Sequence, residues 1–292
     1  MSILTVFTPA YNRAHTITRT YESMLRQDCK DFIWMVIDDG STDNTAELVR
    51  EWQQRNNGFE IVYIYKENGG MHTAHNTAYE NITTELNTCI DSDDMLADGA
   101  VRIIVDTWNH CDRRKYAGIV GLDADFDKKV IGKDFPKDLK HTTLSGYYDA
   151  GGSGDKKLVY RTDIMQKLPP YPVFGNEKYV SLGWKYQLCD QEYELIPVNE
   201  ILCYVEYQPD GSSNSMLKQY LNNPQGFAFI RKENLKYIKS FKRNFIDCIH
   251  YVSSSIIGKN RHFLSESPKK LMTVCAIPFG VALTSYIKIK VK

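Results

Sequence analysis

Three carboxylates within four residues, in Asp91-Ser92-Asp93-Asp94, carry the clearest chemistry in this sequence. They follow the apolar run of residues 86–90, and no basic residue adjoins them to neutralise the charge. Carboxylates this close repel one another unless a cation or water takes up the field. Hard oxygen ligands of this kind suit a divalent cation that also binds phosphate. A second apolar run, residues 32–37, ends the same way in Asp38-Asp39-Gly40-Ser41. Two buried strands tipped with acids imply an open α/β sheet with its ligand at the strands' carboxyl ends. If the end of the run at 86–90 stays extended, alternation points Asp91 and Asp93 to the same side.

Strands must deliver these acids. Residues 3–7 read as a buried strand. Residues 8–13 read as a turn, because Pro9 lacks the N–H of a central strand. Ile17, Tyr21, Met24 and Leu25 then recur at helical spacing. Residues 32–37 form a second strand, and Ser41, Thr42 and Asp43 can cap a helix carrying Leu48, Val49 and Trp52. A third strand is expected over 61–65, a loop at Asn68-Gly69-Gly70, a helix over 72–79 and a fourth strand over 86–90. A helix with Val101, Ile104, Val105 and Trp108 and a strand over 119–122 complete the pattern. Strands separated by helices indicate parallel crossovers, hence a Rossmann-like nucleotide-binding half.

The middle is less regular. Gly151-Gly152-Ser153-Gly154 reads as a flexible loop and Pro169-Pro170-Tyr171-Pro172 as a rigid extended segment. Strands are expected over 193–198 and 201–207. The polar loop Asp210-Gly211-Ser212-Ser213-Asn214 is placed to close over a ligand and exclude water. From about residue 215 the pattern is helical, with Phe227, Ile230, Leu235, Ile238, Phe241, Phe245 and Ile249.

The 292 residues suffice for one large α/β domain and an appendage. A formal net charge of zero excludes a nucleic-acid-binding surface over the whole molecule, although basic residues dominate from Lys232 onward. Seven cysteines, odd in number and with no Cys-x-x-Cys pair, fit a reducing cytoplasm better than a disulfide scaffold. The N-terminus enters a strand at once, so no signal peptide is expected. Near the other end, residues 271–287 are seventeen uncharged and mostly apolar positions flanked by lysines. That pattern suits a helix lying on the inner, anionic face of the cell membrane, or one packed on the domain or on another subunit as a homo-oligomer contact.

Four stretches occur in the order and spacing of a known family. They are residues 6–13 (Val-Phe-Thr-Pro-Ala-Tyr-Asn-Arg), residues 37–43 (Ile-Asp-Asp-Gly-Ser-Thr-Asp), Asn68-Gly69-Gly70, and residues 89–94 (Cys-Ile-Asp-Ser-Asp-Asp). In these the chain resembles the family 2 glycosyltransferases of the GT-A fold, firmly over residues 3–125 and loosely to about 210. The resemblance implies an α/β GT-A fold with a mixed central sheet. It implies a glycosyltransferase domain over 1–214, made of a nucleotide-sugar-binding half (1–125) and an acceptor-side half (126–214), and a helical region over 215–292. It implies an inverting transfer from a nucleotide sugar, a UDP-sugar foremost, to a lipid-linked or protein-bound glycan of a bacterial surface pathway, with Mn²⁺ or Mg²⁺ as cofactor.

Residue by residue, the resemblance gives Asp39 the imide N–H of uracil, and Thr8, Ala10, Tyr11 and Arg13 the base and ribose. Asp93 becomes the direct metal ligand, with Asp91 beside the ribose or a metal-bound water and Ser92 between them. The glycines at 69 and 70 would let backbone approach phosphate or ribose, and His72 would donate to a phosphate oxygen; similar sequences carry a lysine where this chain has Met71. An inverting transfer also needs a general base. In the family it lies in a Gly-Glu-Asp-like stretch, and Phe174-Gly175-Asn176-Glu177-Lys178 is the nearest match, so Glu177 is the candidate, with Asp190, Glu192 and Asp155 as rivals. Asp123-Ala124-Asp125 reads as a solvated loop beside Lys128 and Lys129. Two other classes compete: a nucleotidyltransferase that makes sugar nucleotides, which would show a Gly-rich basic loop after the first strand, and a non-catalytic binding or scaffold protein.

Overall fold

The computed structural model describes residues 2–206 and 216–291. The Asp210–Asn214 loop and the boundary at 214/215 lie outside the described residues. In chain order the elements are β1 (Leu4–Ala10), α1 (Ile17–Leu25), β2 (Phe32–Asp38), α2 (Thr45–Gln53), β3 (Glu60–Tyr65), α3 (Met71–Asn81), β4 (Leu86–Cys89) and β5 (Met95–Leu96). Then come α4 (Ala100–Asn109), β6 (Tyr116–Ala124), α5 (Leu144–Asp149), β7 (Lys156–Arg161), α6 (Thr162–Lys167), α7 (Gly183–Cys189) and β8 (Glu194–Tyr204). The helices α8 (Met216–Asn222), α9 (Pro224–Tyr237), α10 (Phe241–Ile257), α11 (Phe263–Glu266) and α12 (Lys270–Lys290) close the chain.

The strands form one mixed sheet in the order β3-β2-β1-β4-β7-β6-β8-β5. β3, β2, β1 and β4 run parallel, as the alternation of strand and helix requires. β7 then inserts antiparallel between β4 and β6. The start of β7 and the ends of β1, β2, β4 and β6 therefore share one edge of the sheet. Trp34 of β2, Tyr21 of α1 and Trp52 of α2 stack on one face, with Tyr21 and Trp52 centroids 4.3 Å apart. Trp108 of α4 and the fully buried Leu4, Val6, Leu86 and Ile119 belong to the same core.

Three sequence expectations change. Pro9 lies inside β1 rather than in a turn, because β4 pairs only as far as Phe7 and leaves that flank of the strand without a partner. The two strands expected over 193–207 are one strand, β8, whose pairing with β6 shifts register between Val120 and Leu122. β7 went unread: its Lys156-Lys157 start hides the short apolar run behind it. The glycine loop at 151–154 is also held in place, since Lys133 N–H donates to the Ser153 carbonyl at 3.1 Å and Lys156 Nζ to the same oxygen at 3.0 Å.

Backbone contacts divide the chain into two units. One comprises Met1–Asn68, Ala74–Pro170 and Lys185–Glu206; the other comprises Gly69–Thr73, Tyr171–Trp184 and Tyr207–Lys292. In the second, α9, α10 and α12 pack around Leu235, Cys248, Val252 and Ala276. His250 of α10 lies inside this bundle with the Tyr220 ring 5.6 Å away. Burial, with help from the Arg231 charge, pushes its pKa down to about 4.

The folded chain therefore resists a proton that the unfolded chain accepts below pH 6.5. Stability contributed by neutral His250 is complete at pH 7 and is lost as the pH falls from 6.5 towards 4. Discounted for solvent, the loss is on the order of 1–2 kcal/mol. Urea titrations at pH 7 and pH 4.5 should show the pH dependence flatten in His250→Gln; an unchanged slope would refute this placement.

Candidate active site

Two connections after parallel strands interlock. The Asn12 N–H donates to Ser41 Oγ at 2.9 Å, and the Thr42 N–H donates to Asn12 Oδ1 at 2.8 Å. The Arg13 N–H donates to Thr45 Oγ1 at 2.9 Å and the Ala14 N–H to Asp43 Oδ2 at 3.0 Å. Asn12 takes a positive φ of 54° to make these bonds, a conformation asparagine tolerates. Both loops are thus fixed where β1 and β2 end.

Asp38 and Asp39 divide the work. Asp38 is structural: its carboxylate accepts the Ser41 N–H at 2.7 Å and the Tyr63 hydroxyl at 2.6 Å. Asp39 is buried, and Lys66 Nζ meets its Oδ1 at 2.5 Å. This lysine, just past β3, was not singled out from the sequence; register alone brings it over. Gly40 follows with φ +82°, and a Cβ there would stand 2.8 Å from the Asn68 backbone nitrogen.

The acidic cluster is a turn, not an extended end: the Asp94 N–H donates to the Asp91 carbonyl at 3.0 Å. The alternation argument for Asp91 and Asp93 therefore does not apply, and the turn itself gathers the carboxyls. Nor is the cluster without a cation. Lys157, buried at the start of β7, donates from Nζ to the Cys89 carbonyl at 3.1 Å. Burial raises the Asp91 pKa; Lys157 draws it back, Asp93 pushes it further up and Arg13 opposes. Burial and the Asp91 charge push Asp94 up to about 8. For Lys157 burial works the other way, but Cys203, Asp123, Asp94 and Cys89 outweigh it and hold the ammonium charged.

Asp123 completes this edge. It ends β6 and is buried, not solvated as the sequence suggested; only Asp125 beyond it enters the loop, accepting the Lys129 N–H at 2.9 Å. Asp123 Oδ1 has no hydrogen-bond partner, and burial pushes its pKa up to about 6 despite Lys157.

Of the residues singled out from the sequence, Ala10, Arg13, Asp39, Asp91, Ser92 and Asp93 come to this edge. Tyr11 is there too and exposed. Thr8 is fully buried, and its Oγ1 accepts the Trp34 indole N–H at 3.0 Å. His72 and Glu177 belong to the helical unit. There His72 is buried, and Glu177 Oε1 and Oε2 accept the N–H groups of Gln225 and Gly226 at 3.0 and 2.9 Å, at the first turn of α9. Asp190 does the same for α5, accepting from Leu144 N–H at 3.2 Å and Ser145 N–H at 2.7 Å. Asp155 and Glu192 are exposed. The glycine at 70 serves packing: its φ is +90°, and a Cβ would fall 2.0 Å from the Lys178 carbonyl oxygen.

Oxygen donors from two aspartates, in a buried cluster whose charge Lys157 and Arg13 only partly balance, fit a hard divalent cation that takes its remaining ligands from phosphate and water. Among the described residues no group of three or more His, Cys, Asp or Glu side chains is arranged to hold a metal without such help.

Residues 5–128 match the Glycosyl transferase family 2 model. GlyA of Streptococcus pneumoniae is 33% identical over 93 residues, 32% of this chain and 13% of that protein. The GalNAc(5)-diNAcBac-PP-undecaprenol beta-1,3-glucosyltransferase of Campylobacter jejuni is 26% identical over 185 residues, 61% of this chain and 58% of that protein. Among solved structures, S. aureus TarS in complex with UDP-GlcNAc shares the fold with a TM-score of 0.60 at 16% identity, over 98% of this chain and 90% of that one. Mannosyltransferase PcManGT from Pyrobaculum calidifontis, in complex with GDP-Man and Mn²⁺, gives 0.56 at 16% identity, over 96% and 73%. Over residues 5–128 this chain is similar to the family 2 glycosyltransferases, and it shares the GT-A fold of these solved structures. The matched segments span 13% of GlyA and 58% of the glucosyltransferase.

Gly70→Ala tests the packing of the glycine loop. A forced left-handed alanine and the collision with Lys178 should together cost about 2–4 kcal/mol in urea unfolding. A cost below about 0.5 kcal/mol would show that the loop is not held this way.

Proposed function

We propose that this chain is an inverting, metal-dependent glycosyltransferase that moves a hexose from a nucleoside-diphospho-sugar, a UDP-sugar foremost, to a glycan acceptor in bacterial surface polysaccharide or glycoprotein assembly. The observation that supports this best is the meeting of Asp39, Arg13 and the Asp91–Asp93 turn at one sheet edge, in a chain similar to this family. A soluble donor has a base to recognise, a diphosphate to neutralise and an anomeric carbon to expose, and the edge offers a group for each.

In this reading Asp39, steadied by Lys66, accepts the imide N–H of the base, a bond that cytosine cannot offer. Ala10, Tyr11 and Arg13 line the base and ribose, Thr8 supports them through Trp34, and Ser92 sits within the turn. His72 donates to phosphate. Asp93 and Asp91 would hold Mn²⁺ or Mg²⁺, which when bound supplies Lewis-acid stabilisation to the departing diphosphate. Arg13 and Lys157 add fixed positive charge beside it.

An acceptor hydroxyl attacks the anomeric carbon on the face opposite the diphosphate. The new glycosidic bond forms as the bond to the diphosphate oxygen breaks, and the hydroxyl proton passes to a carboxylate. Glu177 is the sequence candidate for that base, although both its oxygens already accept backbone N–H groups of α9. Asp123 is a second candidate. Its unpartnered oxygen and its pKa of about 6 are what a base working near neutrality needs.

Donor screening with UDP-sugars and GDP-mannose in Mn²⁺ should find turnover for at least one UDP-sugar. Asp93→Ala should lower it on the order of a thousandfold, and chelator should abolish it reversibly. Retention of full activity in chelator would sink the metal assignment. For the base, Glu177→Gln and Asp123→Asn should separate: the true base loses about 10²–10⁴-fold in kcat with little change in donor affinity. The other loses at most what its helix cap or burial contributes to stability, read in parallel as Tm. Wild-type kcat in both variants would leave neither as base.

A further inference from the structure

α12 is built inside out. Its buried positions are Thr273, Ala276, Gly280, Thr284 and Ile287, mostly small or hydroxylated. Ala276, Gly280 and Thr284 fall four residues apart and let α10 approach closely; a Cβ on Gly280 would lie 2.5 Å from Val252 Cγ1. Hydroxyls join the two helices: Thr284 Oγ1 lies 3.0 Å from Ser253 Oγ, and Thr273 Oγ1 3.5 Å from Cys248 Sγ. The outward positions are the large apolar ones: Leu271 (85% exposed), Val274, Phe279, Tyr286 and Ile289 (72% exposed). A helix at a protein–water boundary has the opposite arrangement. Small residues inward and large apolar residues outward is how helices pack when their outer surface meets lipid.

Charge marks what covers that face. Lys270 precedes the apolar stretch, and Lys288 and Lys290 follow it, all exposed. An apolar stripe bracketed by ammonium groups complements hydrocarbon beneath anionic headgroups. The helix is long and apolar enough to cross a bilayer by length and composition alone. Its inner face argues against crossing, because α10 covers it from Thr273 to Thr284. A span would carry α10 into hydrocarbon together with Asp247, whose Oδ1 pairs with Arg231 at 2.7 Å. We propose that the outward face of α12 docks in the plane of an anionic lipid surface, with the lysines at its ends among the headgroups. This stands apart from the donor site and concerns where the chain works rather than what it transfers.

Sedimentation of the full chain with vesicles tests it without any assay of transfer. Binding is expected to phosphatidylcholine vesicles containing phosphatidylglycerol and not to phosphatidylcholine alone, weakening on the order of tenfold in high salt. Leu271→Gln/Tyr286→Gln/Ile289→Gln should weaken it on the order of a hundredfold while Tm stays unchanged, since these side chains are already exposed. Lys270→Gln/Lys288→Gln/Lys290→Gln, which leaves the apolar stripe intact, should also weaken it. The proposal is overturned if neither vesicle binds the wild type or if the triple glutamine variant of the stripe binds as well. It is equally overturned if the wild type is a dimer without affinity for vesicles that this variant converts to monomer.

Discussion

Everything at the donor edge depends on one buried cation. Lys157 shares the interior with Asp91, Asp94 and Asp123, groups that burial alone would force towards neutrality. An ammonium in that place is costly by itself, and so is each carboxylate; together they offset part of one another's desolvation. The compensation is incomplete, as the elevated carboxyls show. An acidic turn left short of positive charge is what makes this edge the place for the proposed cation and diphosphate. Antiparallel insertion of β7 makes this possible, because only that direction puts the start of the strand, and so Lys157, beside the end of β4.

Around this centre the chain separates rigidity from recognition. Asp38 and Tyr63 fix the turn after β2, which leaves Asp39 with Lys66 and not with the turn. Asn12, Asp43 and Thr45 tie the loop after β1 to the loop after β2, so that Arg13 and Asp39 are held by the same set of backbone bonds. Groups placed on strand ends and braced in this way lose little freedom when a ligand arrives, which favours tight and specific binding.

Two other carboxylates, one in each unit, are used differently. Glu177 and Asp190 each satisfy orphan N–H groups at the start of a helix, the ordinary employment of an acid in the first turn. A carboxylate so bonded has its acceptor oxygens committed to backbone N–H groups. Asp123, lacking such bonds on one oxygen, has the opposite disposition. The helical unit presents α12 with its small face inward, and there packing reads like that of helices in lipid rather than in water.

The sequence by itself determined the parallel half of the sheet, the acids at its strand ends and the family they resemble, because those depend on local periodicity and on motifs that are contiguous. It also showed a lysine-flanked apolar tail. Only the tertiary structure decided that Pro9 could stay in its strand, that Asp123 was buried, and that Lys66 and Lys157 stood beside the aspartates. Each of those turns on which strands become neighbours and in which direction they run. Pairing between residues 89 and 157 leaves no trace in local spacing, so the charge that balances the site could not be read before the sheet was assembled.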